Sequence, residues 1–385
     1  MTGSAKTKER RYTRDGSAEL ESHLAEVCAT IGRELSSIIP SEALEGVALG
    51  GGYGRGEGGV LRTEDGDKPY NDLECFVFVR GPVPLSDRRY GPAVHGLGHR
   101  LTEEIGIEVE FKILSLQRLR SSEVTMFFYD LVCGHRVIVG PDNLLEPFDS
   151  QRDASAIPLH ESQRLLMNRC SGLLFALERL GLDDFDREDA DFVGRNLAKA
   201  RLALGDVVLA VRGEYHWSCI ERHARLREVK GPFLPLEKIH AFHEAGVEFK
   251  LHPVRASEDR ETLAETHAEI SKVAWAVWQW LAEKRFGTKY ESPSKFSTAT
   301  RSKCPETRRL KNLLVRMRAF GLSAGLRAGR FRYPREALIN TLPILLWEQA
   351  SFPESRAFIG KQLSEDPGTW SEALAAYTKL WEQFN

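Results

Sequence analysis

Two acidic side chains spaced two residues apart open an apolar run, Asp72 and Glu74 in Asn71-Asp72-Leu73-Glu74-Cys75-Phe76-Val77. In an extended strand, residues i and i+2 share a face and lie roughly 6–7 Å apart along the chain. Leu73 and Cys75 then face the other way. Two carboxylates so placed repel, and one is held partly protonated unless a cation lies between them. A hard divalent ion with oxygen ligands, Mg²⁺ or else Mn²⁺, resolves that conflict. A second acidic pair, Glu108 and Glu110, sits in Ile107-Glu108-Val109-Glu110-Phe111, a run otherwise apolar enough for a core strand. If the two strands pair side by side, one of these glutamates joins Asp72 and Glu74. Three carboxylates together can hold two metal ions, one on a polyphosphate and one lowering the pKa of an attacking hydroxyl.

A glycine-rich stretch supplies the anion-binding side of the same chemistry. Gly46-Val47-Ala48-Leu49 reads as a short strand that runs into Gly50-Gly51-Gly52-Tyr53-Gly54-Arg55-Gly56-Glu57-Gly58-Gly59. A strand that ends in Gly-Gly and turns sharply presents several backbone N–H groups together, a seat for phosphate oxygens. Arg55 offers a bidentate donor to the same anion. Residues 54–59 also fit the G-x-G-x-x-G spacing of dinucleotide folds and kinase lids. A dinucleotide fold requires a helix next, whereas Val60 to Asp67 is polar and turn-like, and the chain contains no H-R-D or D-F-G.

The order of these pieces resembles the nucleotidyltransferase superfamily, whose signature is hG[GS], then [DE]h[DE]h, then h[DE]h, with h apolar. The superfamily includes polymerase beta-like enzymes, aminoglycoside nucleotidyltransferases and the minimal nucleotidyltransferases of toxin–antitoxin systems. Leu49 to Glu57 is similar to its GSYARGE loop, with Gly52 in the serine position. The resemblance spans about residues 46–140. It implies metal-dependent transfer of a nucleoside monophosphate, AMP from ATP by default, to an acceptor hydroxyl with release of pyrophosphate. Asp72 and Glu74 would be the metal-binding pair, and Gly51 and Gly52, with Arg55, the phosphate-binding turn. Glu110 would be the third catalytic carboxylate, because Glu110-Phe111-Lys112 follows the acid–apolar–basic order of polymerase beta-like members; Glu108 is the alternative. Lys199 stands where related two-domain enzymes place a cation that reaches the triphosphate, and Asp206 lies two turns further along the same helix. This sequence departs from the pattern in three ways: an insertion at Val60 to Pro69, Glu rather than the commoner Asp at position 74, and no hydroxyl at Gly52. The acceptor stays open among a small molecule, RNA and protein. The alternatives are a non-catalytic nucleotide- or RNA-binding protein of the same fold and a nucleotide-polymerising or cyclising synthase.

The elements that must position these groups are legible from periodicity. The expected fold is α+β, a small mixed-sheet nucleotidyltransferase core followed by an all-α helical domain. Its divisions are a basic disordered tail at 1–16, the core at 17–150 and the helical domain at 156–385. Leu20, Leu24, Val27, Ile31, Leu35 and Ile38 recur at steps of three and four, predicting a helix over 17–39 ended by Pro40. Strands are predicted at 46–49, 73–80, 107–114 and 135–139, with helices at 88–105 and 119–130. Beyond Pro158 the pattern predicts helices at 160–180, 188–212, 217–228, 260–285, 305–320, 334–349 and 369–383.

With 385 residues, 42% hydrophobic and 28% charged, the chain is neither disordered nor collagenous, and it has room for two domains. A net charge of −2 argues against an obligate nucleic-acid coat protein. The six scattered cysteines form no C-x-x-C pair and point to reduced thiols in a cytoplasmic protein. No apolar run reaches the ~20 residues of a membrane span, and Met1 to Arg14 has five basic residues but no apolar core of a signal peptide. His95, His99 and Glu103 fall at helical spacing without the H-E-x-x-H pattern and read as ordinary helix surface. Residues 301–335 hold eleven basic residues against Glu306 alone, a local charge of +10 interleaved with Phe320, Phe331 and Tyr333. Such a stretch suits RNA or an acidic partner. Trp275, Trp278 and Trp280 read as core.

Overall fold

The computed structural model describes residues 11–256, 259–321 and 329–384. Most of the expected 1–16 tail, and Arg327 of the basic stretch, lie outside the described residues. The part of the tail that is described is packed rather than loose. Tyr12 is buried, and the N–H groups of Tyr12 and Thr13 donate to the Glu21 carboxylate at 2.8 and 2.9 Å.

Helix α1 (Ala18–Ile38) starts where Ser17 accepts the Leu20 N–H at 3.2 Å, with Glu19 and Glu21 at its positive end. Its apolar stripe, Leu20, Leu24, Val27, Ile31 and Leu35, is buried. Strand β1 (Leu44–Leu49) leads into a short helix α2 (Gly51–Arg55), where the sequence suggested only a turn. The stretch read as polar and turn-like is a hairpin of β2 (Val60–Thr63) and β3 (Gly66–Pro69), too exposed to carry an apolar alternation. Then come β4 (Leu73–Val79), α3 (Val83–Ile105) and β5 (Val109–Leu114). The single helix expected over 119–130 is two, α4 (Leu116–Ser121) and α5 (Met126–Cys133), since Thr125 caps a fresh start by accepting the Phe128 N–H at 3.1 Å. Strand β6 (Arg136–Val139) closes the set.

Four strands form a mixed sheet in the order β5-β4-β1-β6. Strands β4 and β5 are parallel, joined through α3, and β1 is antiparallel to both its neighbours. Period-two alternation sorts the side chains. Leu73, Cys75, Val77 and Val79 of β4 and Val109, Phe111 and Ile113 of β5 join one core with the stripes of α1 and α3. Phe76 and Phe78 join a second core on the opposite face, with Leu119, Leu131, Val132 and Leu145. Burial on both faces explains the nearly unbroken apolar run of β4. Glu74 falls on the Phe76 face.

The remainder is largely helical: α6 (Leu159–Leu180), α7 (Arg187–Val211), α8 (Cys219–Glu228), α9 (Leu236–Leu251), α10 (Arg260–Phe286), α11 (Pro293–Thr298), α12 (Arg309–Phe320), α13 (Pro334–Trp347), α14 (Phe352–Leu363) and α15 (Trp370–Phe384). Of these, α9, α11 and α14 were not anticipated. The chain divides into two compact units. The first takes the residues up to Pro158 together with Arg212–Glu228 and Val247–Val254, and the second takes Leu159–Val211, Val229–Gly246 and the residues from Arg255 onward. Two segments beyond residue 158, Arg212–Glu228 and Val247–Val254, thus group with the sheet.

In the second unit α6, α7 and α10 pack on one another, and Trp278 is buried against Trp347 and Phe296, at ring centroid distances of 5.6 Å in both cases. The basic stretch is only partly a surface. Lys303 is fully buried, its ammonium donating to the carbonyls of Ala299 and Arg301, and Arg316 is buried too. Arg332 bonds to Glu336 at 2.7 Å, and Arg335 to the Phe384 carbonyl at 2.7 Å. All six cysteines are free and five are buried. Among the described residues, no helix is long and apolar enough to cross a membrane.

Gly96 and Gly98 both lie in α3, but only Gly98 is needed there. A Cβ at Gly98 would meet the Val109 carbonyl at 2.8 Å and the Phe111 ring at 3.2 Å, whereas nothing lies within 4 Å of one at Gly96. Gly96→Ala is expected to raise stability by up to about 1 kcal/mol through helix propensity. Gly98→Ala should lower it by about 1–2 kcal/mol despite the same propensity gain. Urea unfolding of the two variants beside the parent checks both signs.

Candidate metal centre beside a glycine turn

Strand register builds the acidic group. In the parallel β4–β5 ladder Leu73 lies opposite Val109, and Glu74 lies opposite Glu110. Asp72 stands one residue before β4, on the same face by alternation. Carboxylate oxygens of Asp72, Glu74 and Glu110 all lie within 4.8 Å of one another. Among the described residues this is the one such group of three or more ligand-type side chains. Glu108 is exposed and contributes its carbonyl, which accepts the Leu73 N–H at 2.8 Å and anchors the start of the parallel pairing. The structure thus brings Glu110, and not Glu108, to the pair on β4.

Glu74 is the most constrained of the three. Burial pushes its carboxyl pKa above the usual range, and the neighbouring Asp72 charge pushes it further. Lys112 and Arg55 oppose the shift, and Glu110 adds to it. Lys112 sits two residues along β5, its ammonium 3.0 Å from Glu110 Oε2. An octahedral Mg²⁺ with oxygens at about 2.1 Å spaces neighbouring ligands about 3–4 Å apart. The observed spread of oxygens, their chemical type and the mutual repulsion at Glu74 all fit Mg²⁺ or Mn²⁺ at this place.

The glycine turn abuts the group directly. The Gly50 N–H donates to the Glu74 carbonyl at 2.8 Å. Gly51 has φ +60°, and a Cβ on it would fall 2.5 Å from Glu74 Oε2. Both the left-handed backbone and the closeness of the carboxylate demand glycine there. As leading residues of α2, Gly51 and Gly52 have N–H groups without an intrahelical acceptor.

Arg55 is placed differently from the sequence expectation. Its Nε donates to the Gly51 carbonyl at 2.8 Å, and its Nη1 to Asp130 at 2.9 Å and to the Trp217 carbonyl at 3.2 Å. Burial works against its charge, but Asp130 and other acidic neighbours outweigh that and raise its pKa. Through Nε and Nη1 the guanidinium braces the turn. Glu57 is also structural. Its buried carboxylate accepts from Ser218 Oγ and, at 2.9 Å, from the Cys219 N–H at the start of α8. Burial would raise its pKa, yet those hydrogen bonds and the nearby Lys250 charge carry it below the ordinary value. Tyr53 donates to the Gly59 carbonyl at 2.9 Å and accepts from the Tyr70 N–H at 2.9 Å. Asn71 accepts the Gly59 N–H at 2.9 Å, which ties the residue beside Asp72 to the loop.

Lys199 lies exposed on α7, in the second unit, and Asp206 on the same helix is buried with its carboxylate 3.0 Å from His243 Nε2. His95, His99 and Glu103 are exposed on α3. Asp130, Ser218 and Lys250, which surround the turn, were missed by the sequence reading. Lys250 has its pKa lowered by burial and by the Arg55 charge. Only the folded chain brings these residues to the loop, from 75 to about 200 positions away. No protein-family model matches the chain, and no curated protein or solved structure matches it.

Three outcomes follow. Because the folded-state pKa of Glu74 exceeds its unfolded value, the folded form binds that proton more tightly, and stability falls as pH rises through the window above about 4.5. Glu74→Gln should therefore raise the melting temperature in chelator-treated buffer at pH 7.5, with the gain disappearing by pH 4. Millimolar Mg²⁺ should stabilise the parent and leave this variant unchanged. Arg55→Met strands Asp130 and should cost about 2–4 kcal/mol, read by urea unfolding, with Arg55→Lys intermediate.

Proposed function

We propose that this chain is a metal-dependent nucleotidyltransferase, transferring a nucleoside monophosphate, AMP from ATP by default, to an acceptor hydroxyl. The observation that carries this reading is the β4–β5 register, which joins Glu110 to Asp72 and Glu74 beside the glycine turn. On this reading the mixed sheet with its helices is a nucleotidyltransferase core.

Asp72, Glu74 and Glu110 would hold Mg²⁺ or Mn²⁺. The bound ion supplies neutralisation of triphosphate charge and acidifies the acceptor hydroxyl. The N–H groups of Gly51 and Gly52 donate to phosphate oxygens, and Arg55 keeps the Gly51 peptide oriented through its carbonyl. Glu110, half-buried at the end of the group, takes the proton of the acceptor hydroxyl as its oxygen bonds to the α-phosphorus. The bond from the α-phosphorus to the α–β bridging oxygen breaks, and pyrophosphate leaves with that electron pair. Lys112 beside Glu110 balances the charge that the glutamate carries between turnovers.

The test is incubation of the full chain with each α-³²P-labelled NTP and Mg²⁺ or Mn²⁺, with a cell extract as acceptor pool. Label should move to an acceptor with the parent and fall by at least about a thousandfold with Asp72→Asn, whose far-UV spectrum should match the parent. Transfer that persists in Asp72→Asn would overturn the carboxylate assignment. Absence of transfer with every nucleotide and both metals would favour a binding protein of the same fold.

A further inference from the structure

Helix α12 has its polarity reversed. A helix at a protein surface buries its apolar stripe and shows polar side chains to water. In α12 the buried residues are Asn312 and Arg316, while Leu310 and Leu314 are 76% and 68% exposed. The inward side is anchored in that sense. Asn312 Nδ2 donates to Thr307 Oγ1 at 2.8 Å and to the Phe331 carbonyl at 2.9 Å. The Arg316 guanidinium lies 4.8 Å from the centroid of the Phe320 ring. Asn312 and Arg316 share one face of the helix, so holding that face inward keeps the leucines turned out.

Spacing gathers the outward side chains into one patch. Leu310, Leu314 and Met317 recur at steps of four and three, and Met317 is half-buried. Lys311 and Arg318, both exposed, stand three residues before and four after Leu314 and line the same stripe. No acidic residue occurs from Thr307 to Gly321. The face therefore suits a surface that is apolar and negatively charged at once. Stable protein interfaces take about 800 Å² from each partner and centre on Trp, Tyr or Arg, with Leu under-represented. Bases of RNA stack on aromatic rings, whereas this stripe is aliphatic. A second copy of the chain would set the same cations against these. Leucines flanked by Lys and Arg are the composition of a helix lying in the plane of a bilayer surface, which requires no partner of matching shape.

We propose that α12 docks the second unit on an anionic lipid surface. Leu310 and Leu314 enter the boundary between headgroups and acyl chains, and Lys311 and Arg318 meet the anionic headgroups. The patch lies wholly within the second unit and does not depend on the nucleotidyltransferase reading.

Co-sedimentation of the full chain with vesicles tests it, using phosphatidylcholine alone beside an equal mixture with phosphatidylserine. The chain should sediment with the mixture and not with phosphatidylcholine alone, and added sodium chloride should weaken the binding. Leu310→Gln with Leu314→Gln should weaken it about tenfold or more. Lys311→Gln with Arg318→Gln should do the same, by about tenfold or more. All four positions are exposed, so both variants should melt as the parent does. Asp72→Asn should bind as the parent. Absence of binding to the anionic vesicles, or binding unmoved by the leucine variant, would overturn the proposal. So would tighter binding of a single-stranded RNA that the cation variant alone abolishes, or self-association of the parent that the leucine variant abolishes.

Discussion

The pairing of β4 with β5 holds an electrostatic conflict in place. Its register sets Glu74 opposite Glu110 with Asp72 alongside, and like charges opposite each other on a sheet destabilise it. The register survives because the other face of the same strands leaves no choice. A slip by one residue would turn Val109, Phe111 and Ile113 out of the core under α3 and drive Glu110 and Lys112 into it. Burying one such apolar side chain is worth about 1.5–3 kcal/mol, so three outweigh the repulsion of partly hydrated carboxylates. The acidic group is thus a by-product of core packing that a divalent cation would convert from a cost into a binding site.

The glycine loop is shaped by the same carboxylate. Glu74 lies where a Cβ on Gly51 would have to go, and its carbonyl receives the Gly50 N–H. The loop is then braced at almost every polar position. Tyr53 and Asn71 hold Gly59, Arg55 spans Gly51, Asp130 and Trp217, and Glu57 caps α8. Such a network is costly when half satisfied and rigid when complete, and rigidity is what keeps the Gly51 and Gly52 amides aimed in one direction. It also explains why Arg212–Glu228 and Val247–Val254 belong with the sheet. They supply Ser218, the α8 terminus and Phe249, whose ring meets Tyr70 edge-on at 6.1 Å.

The second unit contrasts with this economy. Its aromatic centre around Trp278 sits beside a buried cation, the Lys303 ammonium lying 4.9 Å from the centroid of the Phe296 ring that packs on Trp278. Lys303 and Arg316 are withdrawn from the surface although both belong to the most basic stretch of the sequence. A high local charge in sequence is therefore a poor guide to surface charge here, because the Lys303 and Arg335 side chains reach carbonyls and that of Arg332 reaches Glu336.

Local pattern was enough for α1, β1, β4, β5, β6 and the long helices, because one-sided burial imposes a period of 3.6 or 2 on helices and on β5, while burial on both faces leaves β4 a continuous apolar run. It also placed Asp72 and Glu74 on one face, since that follows from strand geometry alone. The hairpin β2–β3 and the helices α9, α11 and α14 were missed. Short or exposed elements bury too little to leave a period, and a capping residue such as Ser292 before α11 is a weak signal by itself. The choice between Glu108 and Glu110 was not in the alternation, which puts both on one face. It was decided by which residue of β5 lies opposite Glu74, a matter of strand pairing. Arg55 shows the same limit. Sequence could tell that a guanidinium stood beside the turn, but Asp130 and Trp217 claim it from 75 and 162 residues away. Residue types and spacing determined what chemistry this chain could offer; only tertiary packing decided which groups meet, because register and long-range pairing are set by the total core and not by any one segment.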